Sequence, residues 1–502
     1  MCKDHPANGI DRRQVMAGLG AGAALWATAG CVATNPATGR RSFTGFQSIQ
    51  DDIALGRREH PKMVKAFGGE YDQPRLTGYV RDIGQRLARF AEFQQFQYRF
   101  TVLNSPIVNA FALPGGYVYI TRGLLVLASN EAELAGVLSH EIAHVNARHT
   151  AERISAQQMA QFGLLLGAIG LQAAGLPSDL MRIGQTAAVA AIQGYSRDQE
   201  FEADTLGLRY MSRGGYHPDA MASFLGSLRE HSMVEARVMG LPPGKVDEFN
   251  IMSTHPRTAE RVRQAQAAVD KQGTARGRLA RDTYLTRIDG MIFGDDPEQG
   301  IVRGQRFSHP GLRFEFSVPD GFHLRNSPDR VTASHRDGAA IVFDMAPMKG
   351  AGSAVQYLRR VWAPSAQLAE VENLRIAGHD AATGWVQGRG NSGPVRIRGL
   401  VIRRDSKTVY RFMYVSPQAQ VRRWSAAFRE SGHSFRDLSA QAAAKVQPMR
   451  LLVVPARGDD SIAGLARTLP YGDFNEQWFR VLNDLRPGQG LRGKQRLKVV
   501  AS

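Results

Sequence analysis

The spacing of apolar residues changes once along this chain, near residue 311, and that change limits what it can fold into. From about 51 to 275 the spacing is mainly helical, with one short strand signal near 100–121. From about 311 it turns to alternation, as in Phe314-Glu315-Phe316-Ser317-Val318, in Ala339 to Phe343 and in Val409-Tyr410-Arg411-Phe412-Met413-Tyr414. A helix is expected over 418–430. The fold class is therefore α+β, with a mainly helical domain over 51–275 followed by a small α+β domain over 311–445. Between them, 276–310 reads as a connector containing Gly294-Asp295-Asp296-Pro297. The stretch 446–502 has a strand–helix–helix–strand pattern of its own, and no solenoid period is present.

Cys2 and Cys31 are the only cysteines among 502 residues, so neither a disulfide framework nor a Cys-based zinc cluster can hold the body of the chain. Any metal must be taken by histidine and carboxylate. With 43% hydrophobic and 22% charged residues, the composition excludes a disordered chain and a multi-span membrane protein. The net charge of +17 comes from basic residues scattered along the chain without a long run. Dispersed in this way it is a solvated surface, so no nucleic-acid partner is expected, and anionic lipid or cell-envelope polymer fits as a neighbour.

The first 31 residues read as an export signal. Arg12 and Arg13 precede an apolar stretch from Val15 to Trp26, and small residues Thr28, Ala29 and Gly30 lead to Cys31. The paired arginines resemble a twin-arginine signal, and the Thr-Ala-Gly-Cys ending resembles a bacterial lipobox with Thr28 where Leu is usual. The alternative is an uncleaved N-terminal anchor helix. Either reading puts the body of the chain in the periplasm or cell envelope, anchored to a membrane. Val32 after Cys31 favours the outer membrane. Residues 32–50 have the polar composition of a tether.

The chemistry is concentrated in His140-Glu141-Ile142-Ala143-His144, an H-E-x-x-H motif that chance places in roughly 2% of such chains. Asn130 with Glu133 resembles a capping box opening its helix, along which Leu134, Val137, Leu138, Ile142 and Val145 form one apolar stripe. That stripe centres about 120° from the two histidines, which share a face of their own. Two imidazoles one turn apart can share a Zn²⁺, and catalytic zinc takes a third protein ligand and leaves a place for water. In Ser196-Arg197-Asp198-Gln199-Glu200-Phe201-Glu202-Ala203-Asp204, Ser196 with Gln199 is a second capping box, and Gly214-Gly215 closes that helix. Glu200 and Asp204 share a face there. Glu200 is the proposed third ligand, and Asp204 the acceptor for the outer N–H of a ligand histidine. Glu202, pointing about 200° from Glu200, is the rival ligand.

Four blocks carry a family resemblance. They are Asn109-Ala110-Phe111-Ala112-Leu113-Pro114-Gly115-Gly116, then His140 to His144, then Ser196-Arg197 through Glu200 and Asp204, and Ser253-Thr254-His255-Pro256 followed by Arg261. In order and spacing, over roughly residues 50–270, they resemble the zinc metallopeptidase family of CAAX prenyl proteases, HtpX and the periplasmic BepA-type enzymes. The resemblance implies a helical gluzincin-type domain holding one Zn²⁺ per chain through His140, His144 and Glu200. It also places His255 and Arg261 near the metal. There the pair stabilises the oxyanion, or His255 occupies the open zinc position in a resting state. Glu141 cannot reach the metal along with both histidines, and is the base that takes the water's proton and delivers it to the leaving amine.

Other features take plainer readings. His149, His217 and His60 are expected at the surface or in turns. Gly115-Gly116-Tyr117-Val118-Tyr119-Ile120-Thr121 reads as a turn and a short strand, either a substrate-binding edge or an ordinary hairpin strand. The uncharged run from Ser155 to Ser178 holds Gln157, Gln158, Gln161 and Gln172, and reads as a mobile helical lip over the cleft rather than a bilayer span. Residues 451–500 resemble a degenerate LysM module, which implies peptidoglycan as a partner. The expected function is a zinc endopeptidase of the cell envelope acting on unfolded or misassembled proteins. The competing readings are a latched, largely non-proteolytic chaperone or assembly factor, and a wall-binding scaffold. No chemistry is legible in 311–445.

Overall fold

The computed structural model describes residues 32–34, 39, 41–44, 47–155, 194–238, 255, 258–271, 276–390, 393–486, 488–491 and 495–501. The export signal over 1–31, residues 156–178 of the uncharged run, and Ser253, Thr254 and Pro256 beside His255 lie outside the described residues.

Helix α1 (Ile49–Ala66) starts at a reciprocal cap, in which the Ser48 side chain accepts from the Asp51 N–H and Asp51 accepts from the Ser48 N–H. Helix α2 (Pro74–Ala88) opens on proline, whose missing N–H is no loss at that position. Three strands follow: β1 (Arg99–Leu103), β2 (Ala110–Leu113) and β3 (Tyr117–Thr121). The sheet order is β1-β3-β2, with β3 parallel to β1 and antiparallel to β2. The Tyr117–Thr121 strand is therefore central, and the edge reading does not hold for it. The edge strand that packs against the helix Glu131–Asn146 is β2, in the Asn109–Gly116 block.

Helix α3 (Arg122–Leu127) leads into α4 (Glu131–Asn146), which carries the H-E-x-x-H motif. Helices α5 (Arg197–Arg213), α6 (Asp219–Val238) and α7 (Thr258–Lys271) complete the helical part. Every residue of α4 is buried, so its apolar stripe is not its only inward face. Off the stripe, beside the ionisable residues, Ala132, Ala135, Gly136, Ser139 and Ala143 are small, and α2, α5, α6 and β2 pack against the helix. Gly207 of α5 shows how close the approach is, since a Cβ there would lie 3.2 Å from the His140 nitrogen. A helix enclosed on all sides carries its ligands into a dry interior.

Residues 276–310 are built into both neighbouring bodies. Helix α8 (Arg281–Ile288) and strand β4 (Ile292–Phe293) contribute Tyr284, Leu285, Ile288 and Phe293 to the core around α4. Strands β5 (Ile301–Arg303) and β6 (Arg306–His309) join β7 (Phe314–Ser317) in the next domain. That domain holds a seven-stranded antiparallel sheet: β8 (His323–Ser327), β9 (Arg330–Ser334), β10 (Ala340–Pro347), β11 (Ala369–Ile376), β12 (His379–Gly390), β13 (Gly393–Arg403) and β14 (Thr408–Pro417). Its order is β8-β9-β10-β14-β13-β12-β11. Helix α9 (Val421–His433) buries Trp424 and Phe428, and strand β15 (Arg436–Asp437) pairs with β7. The alternation at 314–318 is met by Phe314 and Phe316, each 1% exposed in one aromatic core.

Strand β16 (Met449–Pro455), helices α10 (Ile462–Ala466) and α11 (Asn475–Leu482) and strand β17 (Arg496–Ala501) follow the expected strand–helix–helix–strand order. Strand β16 lies between β17 and β4. Met449, Leu451, Trp478, Phe479, Leu497 and Val500 belong to the same apolar cluster as α4. Lys498, 1% exposed, donates from Nζ to the carbonyls of Val126, Leu127 and Ala128 at 2.8, 3.1 and 3.0 Å. An ammonium there meets the unsatisfied carbonyls at the end of α3. Arg122 reaches the other way, donating to the carbonyls of Ile292 and Gly294. No helix among the described residues is long and apolar enough to cross a membrane.

Candidate metal centre

Two capped helices aim the site. At α4, Asn130 Oδ1 accepts from the Glu133 N–H at 2.9 Å, while the Glu133 carboxylate reaches back to the Ser129 N–H at 2.7 Å. The cap thus runs one residue further out than the sequence pattern implies. At α5 the Ser196–Gln199 box is reciprocal. One turn separates His140 from His144, and their Nε2 atoms face each other at 3.0 Å. Glu200 Oε1 lies 3.5 Å from His144 Nε2, and Glu200 Oε2 lies 3.6 Å from His140 Nε2. His255 Nδ1 enters the same space, 2.9 Å from Glu200 Oε1 and 3.3 Å from His140 Nε2.

Four ligand atoms, one each from His140, His144, Glu200 and His255, lie within 4.8 Å of one another. All four residues are buried. Two ring nitrogens 3.0 Å apart can share a single proton at most. Burial and His140 hold His144 well below its usual range, which favours the neutral form a metal requires. Imidazole and carboxylate donors of this number suit zinc, so the residues fit the ion. Glu141 stands beside the cluster, 1% exposed, with Oε1 3.6 Å from His255 Nε2. Burial raises its carboxyl above the ordinary range, against the pull of His255 and His140. Glu141 Oε2 and His255 Nε2 are buried without a hydrogen-bond partner.

Arg261 lies under the cluster, 3% exposed. Its Nε and Nη2 each donate to one oxygen of Asp204 at 2.7 Å, and its Nη1 is 2.6 Å from Glu200 Oε2. Asp204 Oδ1 is in turn 2.9 Å from His140 Nδ1. Burial alone would raise the Glu200 carboxyl, but Arg261, His255 and His144 outweigh it and hold Glu200 well below its ordinary range. Asp204 is lowered by the same guanidinium against the same opposing burial. The nitrogens of Arg261 thus meet two carboxylates, as a buried guanidinium fork matches carboxylate geometry.

The rival Glu202 is absent from the cluster, and its Oε2 lies 3.4 Å from His149 Nε2. His149 is the principal residue the sequence reading missed. It is 0% exposed, with Nδ1 2.8 Å from His144 Nδ1. The helix ends at Asn146, and Arg148 adopts a left-handed φ of 56°, which turns the chain back toward His144. Neither Gly nor Asn marks that turn. It is held at long range by Arg148 Nε donating to the buried Asp52 carboxylate at 2.7 Å. Tyr195 was missed too; its ring stacks on His144 at 3.7 Å, and burial pushes its phenol up to about 12. His60 sits half-buried within α1, its Nδ1 2.7 Å from the Tyr119 hydroxyl, and His217 lies near Asp219; neither joins the cluster. Beside His140 and Glu141 a small pocket is walled by Val137, Met221, Phe224, Leu225 and Leu228.

A helix-borne imidazole pair, a carboxylate from a second helix and a buried glutamate beside them define a metallopeptidase domain. Residues 74–269 match the model of peptidase family M48, and the chain carries a domain of that family. It is 30% identical over 283 residues to the beta-barrel assembly-enhancing protease of Escherichia coli strain K12, covering 53% of this chain and 55% of that one. With the protein of the same description from Yersinia pestis the identity is 33% over 257 residues, covering 50% of each. The mitochondrial metalloendopeptidase OMA1 of Schizosaccharomyces pombe is 31% identical over 234 residues, covering 46% of this chain and 64% of that one. The chain spans about half the length of the bacterial relatives it matches.

Proposed function

We propose that this chain is a zinc-dependent endopeptidase of the bacterial cell envelope that hydrolyses peptide bonds in unfolded or misassembled proteins. The observation that carries the reading is the meeting of His140, His144, Glu200 and His255 ligand atoms within 4.8 Å, beside a buried Glu141. His140, His144 and Glu200 would hold the ion, which when bound lowers the pKa of water toward about 7 and polarises a carbonyl. Glu141 takes the proton of the attacking water on its carboxylate and delivers it to the leaving amine. Its raised affinity for protons, set by burial, suits a group that must hold one between those events. His255 offers Nε2 toward the developing oxyanion. Arg261 and Asp204 act as positioning residues: Arg261 fixes the Glu200 carboxylate, and Asp204 holds the outer nitrogen of His140.

The test is metal content and casein cleavage of the purified chain, with and without chelator. Glu141→Gln should keep zinc and lose cleavage by about 10²–10⁴-fold, whereas His144→Ala and Glu200→Ala should lose both. Wild-type protein free of divalent ion, or cleavage retained in Glu141→Gln, overturns the reading.

A second reading is favoured by the place of His255, close enough to join the other three donors as a fourth ligand. His255 then latches the site, and the chain acts mainly as a chaperone or assembly factor. His255→Ala separates the roles, since a latch predicts faster client cleavage and an oxyanion donor predicts slower. Clients are proposed to include β-barrel proteins, following the description of the bacterial relatives. The export signal ending at Cys31 supports a membrane-anchored place in the envelope. The 446–502 segment supports a LysM-like contact with peptidoglycan, for which retention of the full chain on insoluble peptidoglycan is the measurement.

A further inference from the structure

The outer nitrogens of the two helix-borne histidines are held by different chemistry. His140 Nδ1 meets a carboxylate directly, at 2.9 Å from Asp204 Oδ1. His144 Nδ1 meets a second imidazole, at 2.8 Å from His149 Nδ1. A neutral imidazole carries one proton, and His144 turns Nε2 toward Glu200 and His140. For that nitrogen to offer a lone pair, the proton must sit on Nδ1 and be donated. His149 Nδ1 must then accept, which leaves the His149 proton on Nε2, directed at Glu202 Oε2 3.4 Å away.

We infer that His149 is a positioning residue that fixes the tautomer and ring orientation of His144, and that Glu202 sets the tautomer of His149 in turn. This deepens the zinc reading above and rests on it. The placement is specific to the backbone. Continued as α-helix, His149 would lie about 140° around the axis from His144. The left-handed Arg148, φ 56°, instead brings the two rings to a centroid separation of 5.0 Å at 71°. His149 is 0% exposed, and the Glu202 side chain is 9% exposed, so the proton order is set away from bulk water. Tyr195, stacked on His144 at 3.7 Å, limits the ring's tilt. The Glu202 that the sequence offers as a rival ligand thus serves the metal at one remove, through two imidazoles.

The experiment is zinc affinity of the full chain, measured by competition with a chromophoric chelator, alongside melting of the metal-free protein. His149→Leu should weaken zinc binding by about 10–100-fold, as loss of such an outer partner typically does. His149→Asn, whose Oδ1 accepts near the place of Nδ1, should recover affinity to within a few-fold of wild type. Glu202→Leu should weaken binding a few-fold, and it stands in for His149→Leu if that variant does not fold. Wild-type affinity in both leucine variants, or His149→Asn as weak as His149→Leu, overturns the inference. Wild-type protein that binds no zinc overturns the parent reading instead, a separate result.

Discussion

The core around α4 holds a cluster of charged and ionisable groups within its apolar packing, and the core behind the seven-stranded sheet is almost wholly apolar. The first encloses His140, Glu141, His144, His149, Glu200, Asp204, His255 and Arg261, all below 9% exposure. The second is an aromatic cluster of Phe307, Phe314, Phe316, Phe343, Tyr410, Phe412 and Phe435 with few buried charges near it. Buried ion pairs add little net stability once desolvation is counted, whereas well-packed rings add much. Chemistry is confined to the first core, where a wide apolar surround holds charges in fixed geometry at a desolvation cost that the second core does not carry.

Arg261→Leu should break the first core most severely. It leaves Glu200 and Asp204 buried without their cation, which typically costs about 3–5 kcal/mol. Reduced zinc content and a lowered denaturation midpoint are the measurements, and an unchanged midpoint would mean the two carboxylates find other partners. Phe412→Ala, at a ring 0% exposed, should destabilise the second core by about 3–5 kcal/mol. Its zinc content and cleavage per folded molecule should stay at wild type, and a fall in either would show that the cores are coupled. Lys498→Met should lose about 1.5–3 kcal/mol, because a charged donor leaves three buried carbonyls. That loss should appear in the melting of the helical domain. Ser196→Ala is the smallest change, about 1 kcal/mol from one cap of the helix that carries Glu200. A modest weakening of zinc binding with little change in melting is its expected signature.

Much of the site was legible because its signals are local. The H-E-x-x-H spacing, the Ser196–Gln199 cap and the four-residue step from Glu200 to Asp204 each depend on helical geometry within a few residues. His149 was not legible, because its place depends on a left-handed turn at Arg148 stabilised by Asp52 from far upstream. The enclosure of α4 was missed for a related reason. Small residues off the stripe are neutral in an apolar pattern and become inward only when other helices close on them. The strand pattern beyond 311 read well, since alternation survives wherever one face is packed. The segment 276–310 read as a connector because its strands are short and its partners distant, with β4 pairing only at Met449 and Arg450.

The seating of β17 in the helical domain bears on the order of events during synthesis. A chain still on the ribosome acquires every donor of the cluster by Arg261, well before Leu497, Lys498 and Val500 are made. Until those residues arrive, the cluster that supports α4 lacks one wall and the end of α3 lacks its ammonium. The last wall of that core is thus supplied from far downstream of the residues it encloses, and the helical body is closed only when both segments are in place.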